Sequence, residues 1–141
     1  MNRSTTTCVG IHIRRGDFLL VRRASSDQYI LNAMNHFVSK YHLVRFIIAT
    51  DDKSYCRKLF NKRNDVIFTP NSFSAAHDLT VLTLCDHLII TVGTFGWWGA
   101  FLNNKTGEIL TDSKADFSPI DVNCARDAYF PYWFSFLNHT I

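Results

Sequence analysis

The sequence predicts an α/β fold built on a parallel sheet. Two observations carry this. Four short runs rich in Val and Ile are spaced along the chain, and between them apolar residues recur at helical intervals. Strands separated by helices join through crossovers, which makes neighbouring strands parallel and the connections right-handed. At 141 residues, 47% hydrophobic and 14% aromatic, the chain matches one domain with an ample core. That aromatic density excludes a disordered chain. No run reaches the roughly 18 apolar residues of a membrane-crossing helix, and the first seven residues carry no hydrophobic leader, so the reading is one soluble globular domain.

The elements follow in order. Residues 8–13 form a β-branched strand that ends in Arg14-Arg15-Gly16-Asp17. Residues 27–41 place Ile30, Met34, Phe37, Val38 and Tyr41 on one helical face, with Ser25, Ser26 or Asp27 as cap. Residues 44–50 form a second buried strand running into Asp51 and Asp52, and Asp52 reads as the cap of a helix over about residues 53–62. Residues 65–69 are a third strand, residues 77–86 a short, mostly buried helix, and residues 87–92 a fourth strand. Gly93-Thr94-Phe95-Gly96 then leads to a helix expected to begin near Trp97, with Trp97 and Trp98 in the core. Residues 112–123 read as loop, and the aromatic tail over residues 129–136 is expected to pack back on the core.

Charge is uneven. Residues 1–70 hold 12 Lys and Arg against 5 Asp and Glu, whereas residues 71–141 hold 3 against 7. A nucleic-acid partner is not expected, because no platform of interleaved basic and aromatic residues is visible. Cys8, Cys56, Cys85 and Cys124 form no C-x-x-C pair and have no His at zinc-ligand spacing, so no metal site is expected. Cys85 reads as a buried thiol, and the sequence leaves any disulfide pairing open. Sequons at Asn2, Asn104 and Asn138 give weak support for a secretory lumen.

Parallel sheets of this kind bind ligands in a crevice beyond the carboxyl ends of their strands. The polar segments after the first, second and fourth strands are therefore expected to open on one edge. His12 and Arg14, two apart, share a strand face, and Arg15 points the other way. An arginine at a strand end suits a bidentate grip on phosphate oxygens, and Gly16 permits a tight turn; a basic surface turn over a satisfied core histidine is the plainer alternative. Asp17 either orients an arginine or caps that turn. Gly93 and Thr94 can present backbone N–H groups and a hydroxyl to an anion at a helix start, or simply pack tightly. Asp78 is an ordinary helix cap by default, and alternatively an acceptor for the paired donors of a purine edge.

Taken together, V-G-I-H-I-R-R-G-D-F, A-T-D-D and D-L-T-V-L-T-L-C-D-H-L-I-I-T-V-G-T-F-G-W-W-G-A-F-L, in that order, resemble the α-1,2-fucosyltransferases from Val9 to Leu102. Similar H-x-R-R segments occur in α-1,6- and O-fucosyltransferases. The resemblance implies a Rossmann-like parallel sheet with flanking helices, one lobe of a two-lobed GT-B glycosyltransferase. It implies a GDP-fucose donor, inverting transfer to the 2-hydroxyl of a galactoside acceptor, no required metal or other cofactor, and a lumenal Golgi location through a membrane anchor absent from these residues. By the same resemblance, Arg14 holds the β-phosphate with His12 and Arg15 nearby. Gly93, Thr94 and Phe95 complete the phosphate site, and Asp78 contacts guanine. Arg14 and Asp17 are the catalytic candidates, Asp17 by position alone. Family members are longer, so the chain reads as the donor-binding lobe of a longer enzyme. The competing reading is a non-catalytic nucleotide- or phosphate-binding module.

Overall fold

In the computed structural model, residues 5–16, 24–112 and 129–137 are described. The order of elements is β1 (Thr7–Ile13), α1 (Asp27–Lys40), β2 (Val44–Thr50), α2 (Lys53–Leu59), β3 (Val66–Phe68), α3 (Ala75–Leu84), β4 (His87–Ile90), α4 (Thr94–Phe101), β5 (Ile109–Asp112) and β6 (Phe134–Leu137). The six strands make one sheet in the order β3-β2-β1-β4-β5-β6, and every pairing is parallel. This is the Rossmann-like sheet with flanking helices that the sequence predicts, extended by two strands.

The strand order reverses between β1 and β4. β1 pairs with β2 on one side, Ile13 opposite Thr50, and with β4 on the other, His12 opposite Ile90. Chains wound outward from β1 in both directions leave a crevice at that point, because the connections on its two sides diverge.

Alternation along β1 assigns its two faces. Val9, Ile11 and Ile13 are buried with Tyr29, Ile30, Ala33, Met34 and Phe37 of α1 and with Cys56 of α2. Gly10 and His12 face the other layer. A Cβ on Gly10 would lie 2.7 Å from Leu88 Cδ2 and 2.9 Å from Cys85 Sγ, so α3 packs here only because that side chain is missing. Leu82, Leu88, Ile90 and Ala100 form the second core, with Phe130 and Phe134 from the aromatic tail. The tail does return to the core, and it does so through β6 on β5.

Three helices begin on side-chain caps: Ser26 accepts from Tyr29 N–H, Asp52 from Tyr55 N–H, and Ser74 from His77 N–H. The cap of α3 is therefore Ser74, and the default reading of Asp78 as the cap is corrected. Of α3, only Leu82 is fully buried, fewer than its apolar composition predicts. α4 begins at Thr94, three residues before the expected start, and Trp98 is 49% exposed rather than in the core. Trp97 is half-buried, and its indole N–H donates to Tyr129 O at 2.9 Å.

Near the opposite end of the sheet, Glu108 joins β5 to α1. Its carboxylate takes the Lys40 ammonium and lies 2.8 Å from His36 Nε2, while its N–H donates to His87 Nδ1 at 2.8 Å. Gly107 allows this approach: a Cβ there would fall 1.7 Å from Asp86 O.

Candidate functional site

β1 delivers His12 and Arg14 to the crevice, and the turn after β4 delivers Gly93, Thr94 and Phe95. These five residues line a cleft of about 170 Å³ at the switch point. The two segments are locked together by a hydroxyl that sequence reading missed. Thr91 Oγ1 accepts from Arg14 N–H at 2.9 Å and donates to His12 O at 3.1 Å. Two further hydroxyls hold the same edge: Thr50 Oγ1 donates to Ile13 O at 2.8 Å, and Ser25 Oγ accepts from Val92 N–H at 3.2 Å. The Tyr29 phenol, fully buried, donates to Ile90 O at 2.7 Å and so braces β4 from α1.

His12 is 6% exposed, and its Nδ1 has no hydrogen-bond partner among the described residues. Its ring lies 4.8 Å from the Phe95 ring. Burial pushes the imidazole down to about 4; Asp51 pulls it up and Arg14 pushes it further down. His12 is thus neutral at pH 7. A Cβ on Gly96 would lie 3.0 Å from His12 Nδ1, which explains a glycine inside α4 at that turn. The satisfied core histidine is therefore not what the structure contains.

Asp51, one of the two acidic residues that follow β2, organises the arginine turn. Its Oδ1 accepts from Arg15 N–H at 2.9 Å, and its Oδ2 lies 3.5 Å from Arg14 Nη1. A Cβ on Gly16 would sit 2.5 Å from the same Oδ2, so Gly16 is required for the carboxylate to reach over the turn. With side chains 39% and 27% exposed, this ion pair contributes little to stability; its effect is on where the guanidinium points.

Arg15 turns away from the cleft, as its strand position predicts. Its guanidinium carbon stacks 3.3 Å from the centre of the Tyr55 ring, and its Nε is 3.5 Å from Asp52 Oδ2. Of the residues expected at the phosphate site, Arg15 is the one placed elsewhere. Asp78 lies in the first turn of α3, outside the cleft lining, with Oδ1 buried and without a hydrogen-bond partner among the described residues. Asp17 lies outside the described residues.

α4 opens on Gly93, whose φ of 119° and ψ of 164° belong to a region open essentially to glycine alone. Gly93 offers no side-chain cap, so among the described residues the first N–H groups of α4, beside the cleft-lining Gly93–Phe95 turn, have no side-chain acceptor. Backbone donors, the partial positive charge of the helix start and the Arg14 guanidinium converge on one opening. Such a site suits a polyanionic group.

Fold and site together define a Rossmann-like parallel α/β domain with a cleft suited to a polyanion at its switch point, and the comparisons with known proteins give its family. The sequence pattern of Glycosyl transferase family 11 matches residues 1–136, and the chain belongs to that family. It is 35% identical over 138 residues to galactoside 2-alpha-L-fucosyltransferase Sec1 of Mus musculus, covering 91% of this chain and 38% of that one. It is 39% identical over 106 residues to galactoside 2-alpha-L-fucosyltransferase SEC1 of Bos taurus, covering 69% and 29%. The chain thus spans well under half of either relative. Among solved structures, NodZ alpha-1,6-fucosyltransferase from Bradyrhizobium, in a crystal soaked with GDP-fucose, superposes with a TM-score of 0.54 at 18% identity, covering 71% of this chain and 37% of that one. That likeness concerns the fold.

Proposed function

We propose that this chain is the donor-binding lobe of an α-1,2-fucosyltransferase that moves L-fucose from GDP-fucose to the 2-hydroxyl of a galactoside, with inversion. The observation that carries the reading is the cleft at the β1/β4 switch point, where Arg14 meets the uncapped start of α4. Family membership supplies the reaction class, and the relatives' names supply the linkage.

In this reading the diphosphate lies against the Gly93–Thr94 turn, with Arg14 on the β-phosphate. The acceptor oxygen attacks the fucose anomeric carbon as the bond to the β-phosphate oxygen breaks. GDP leaves with the bonding pair, and the acceptor proton passes to a carboxylate, for which Asp17 is the candidate by position. Negative charge grows on the departing phosphate, so fixed donors aimed there stabilise the transition state more than the ground state. The neutral His12 ring, wedged between Phe95 and Gly96, gives the donor pocket a rigid wall. Asp78, with a buried oxygen unpaired among the described residues, is assigned to the guanine edge. No metal is assigned, since Arg14 and the helix start carry the charge compensation. The reading implies a lumenal Golgi enzyme; no helix among the described residues is long and apolar enough to cross a membrane.

Titration calorimetry with GDP and GDP-fucose, followed by a transfer assay on a β-galactoside, tests this. The 141-residue chain is expected to bind GDP, and Arg14→Ala to weaken binding about 10-fold or more, the loss of one charged hydrogen-bonding partner. A folded Arg14→Ala chain with unchanged GDP affinity would remove the assignment. Because the chain covers only 29–41% of its relatives, GDP binding without transfer favours the second reading, a nucleotide-binding lobe that is inactive by itself. Absence of GDP binding rejects both.

A further inference from the structure

We propose that Cys8 and Cys85 form a redox site, two thiols placed to close into a disulfide that staples β1 to the end of α3. Their sulfurs are 3.6 Å apart although the residues are 77 apart in sequence. Cys8 is the second residue of β1, and Cys85 is the C-terminal cap of α3. Neither belongs to the cleft, and the inference does not depend on what the cleft binds.

The backbone on both sides is already fixed for such a bond. Cys8 N–H donates to Asp86 Oδ2 at 2.9 Å, and Asp86 N–H donates back to Cys8 O at 2.9 Å. This reciprocal pair holds the residue next to Cys85 against Cys8. A disulfide needs the sulfurs at about 2.05 Å, so roughly 1.5 Å must close. The absence of a side chain on Gly10 lets Cys85 sit this close to β1: a Cβ there would come 2.9 Å from Cys85 Sγ.

The two thiols are also unequal in a useful way. Cys8 is half-buried and Cys85 is buried, so a reagent reaches the pair through Cys8. Contact with the Cys85 thiol pulls Cys8 below its ordinary value, while the same contact and burial push Cys85 up. As the accessible member of the pair, Cys8 is the nucleophile and Cys85 the resolving thiol. With a small-molecule disulfide such as oxidised glutathione, the Cys8 thiolate attacks one sulfur and releases one glutathione thiolate. The Cys85 sulfur then attacks Cys8 Sγ in the mixed disulfide, its proton leaving with the second glutathione. The protein loses two hydrogens and the oxidant becomes two thiols. Cys56 takes no part: it is buried in the other layer, and its thiol contacts Thr50 Oγ1.

Peptide mapping separates the possibilities, because each cysteine falls on its own tryptic peptide: residues 4–14, 54–57, 64–105 and 115–126. The full chain is incubated with oxidised glutathione, denatured, alkylated and digested without reduction. The expected product is peptide 4–14 joined to peptide 64–105, released by dithiothreitol and lost in Cys8→Ser, in which Cys85 is recovered alkylated. Recovery of both cysteines alkylated, a lasting glutathione adduct on Cys8, or Cys8 joined to Cys56 or Cys124 would each overturn the proposal.

Discussion

The burial of His12 makes the stability of this domain depend on acidity, with a size that can be worked out. The imidazole ordinarily titrates near 6.5 and is held down to about 4 in the folded chain. Between those values the unfolded chain binds a proton that the folded chain refuses, so stability rises with pH across that window. The sign is that of a neutral group favoured by folding: the contribution is whole above about 6.5 and is lost as pH falls toward 4. At about 1.4 kcal/mol for each pH unit of separation, the full loss is about 3 kcal/mol, and about 2 kcal/mol of it is gone by pH 5. Urea unfolding followed by tryptophan fluorescence at pH 7.5 and pH 5 measures the total. His12→Gln, which cannot titrate, isolates the share of this one ring. Other groups, such as the half-buried His87, whose pKa burial also lowers, act equally in both proteins and cancel in the difference. The variant is expected to lose about 2 kcal/mol less than the wild type over this interval. Equal losses in the two proteins would show that His12 charges freely when folded, and the reasoning from burial would fail.

Three further outcomes follow from the geometry. Gly93→Ala places a side chain at φ 119°, at a cost of about 1–3 kcal/mol in strain, and is expected to weaken GDP binding in calorimetry more than it lowers Tm in proportion, because relief of the strain rotates the first N–H groups of α4. Gly107→Ala drives a Cβ toward Asp86 O and is expected to be among the most destabilising single changes, at least about 3 kcal/mol by chemical denaturation; a stable Gly107→Ala protein would mean that the β5 approach is looser than described. Tyr29→Phe leaves the Ile90 carbonyl short of its buried phenol donor and is expected to cost about 1–3 kcal/mol, with Tm unchanged if that hydrogen bond is dispensable.

Much of the first three quarters of this fold is readable from its residues. The helix over Asp27–Lys40 announces itself by apolar spacing and a Ser cap, and the second strand is found to the residue. β5 and β6 escape sequence reading because they lie beyond Asn103, where the apolar periodicity weakens, and owe their conformation to the parallel neighbours they pair with. α4 starts earlier than its composition suggests. Gly96 and Gly99 weaken its intrinsic propensity, but they are what let it sit against His12 and Leu82. Within the site, His12, Arg14, Gly93, Thr94 and Phe95 are all recognisable as polar or glycine-rich strand ends. Thr91, Ser25 and the double role of Asp51 are not, since their partners lie 77, 67 and 36 residues away. The start of α3 is a case where the signal was present: Ser74, three residues before His77, is a capping pattern closed by an imidazole instead of a carboxamide or carboxylate.

The switch point also sets when the cleft can exist during folding. Residues 7–68 contain β1, β2 and β3 with the helices between them, and these neighbours in the sheet are separated by single crossovers. β4 reaches β1 only after the chain has closed a loop in which Thr91 finds His12 across 79 residues. That closure spans the largest sequence separation between paired strands and carries the largest loop-entropy cost among them, by about 0.6 kcal/mol for each doubling of length. Both walls of the cleft meet in the same event. A chain with β1, β2 and β3 paired but β4 undocked would keep Asp51 beside Arg14 and lack the Thr91 hydroxyl that fixes the Arg14 backbone. Ligand affinity is then a reporter of β4 docking, and hydrogen exchange at Thr91 and Val92 should open together with loss of binding rather than with fraying at β3.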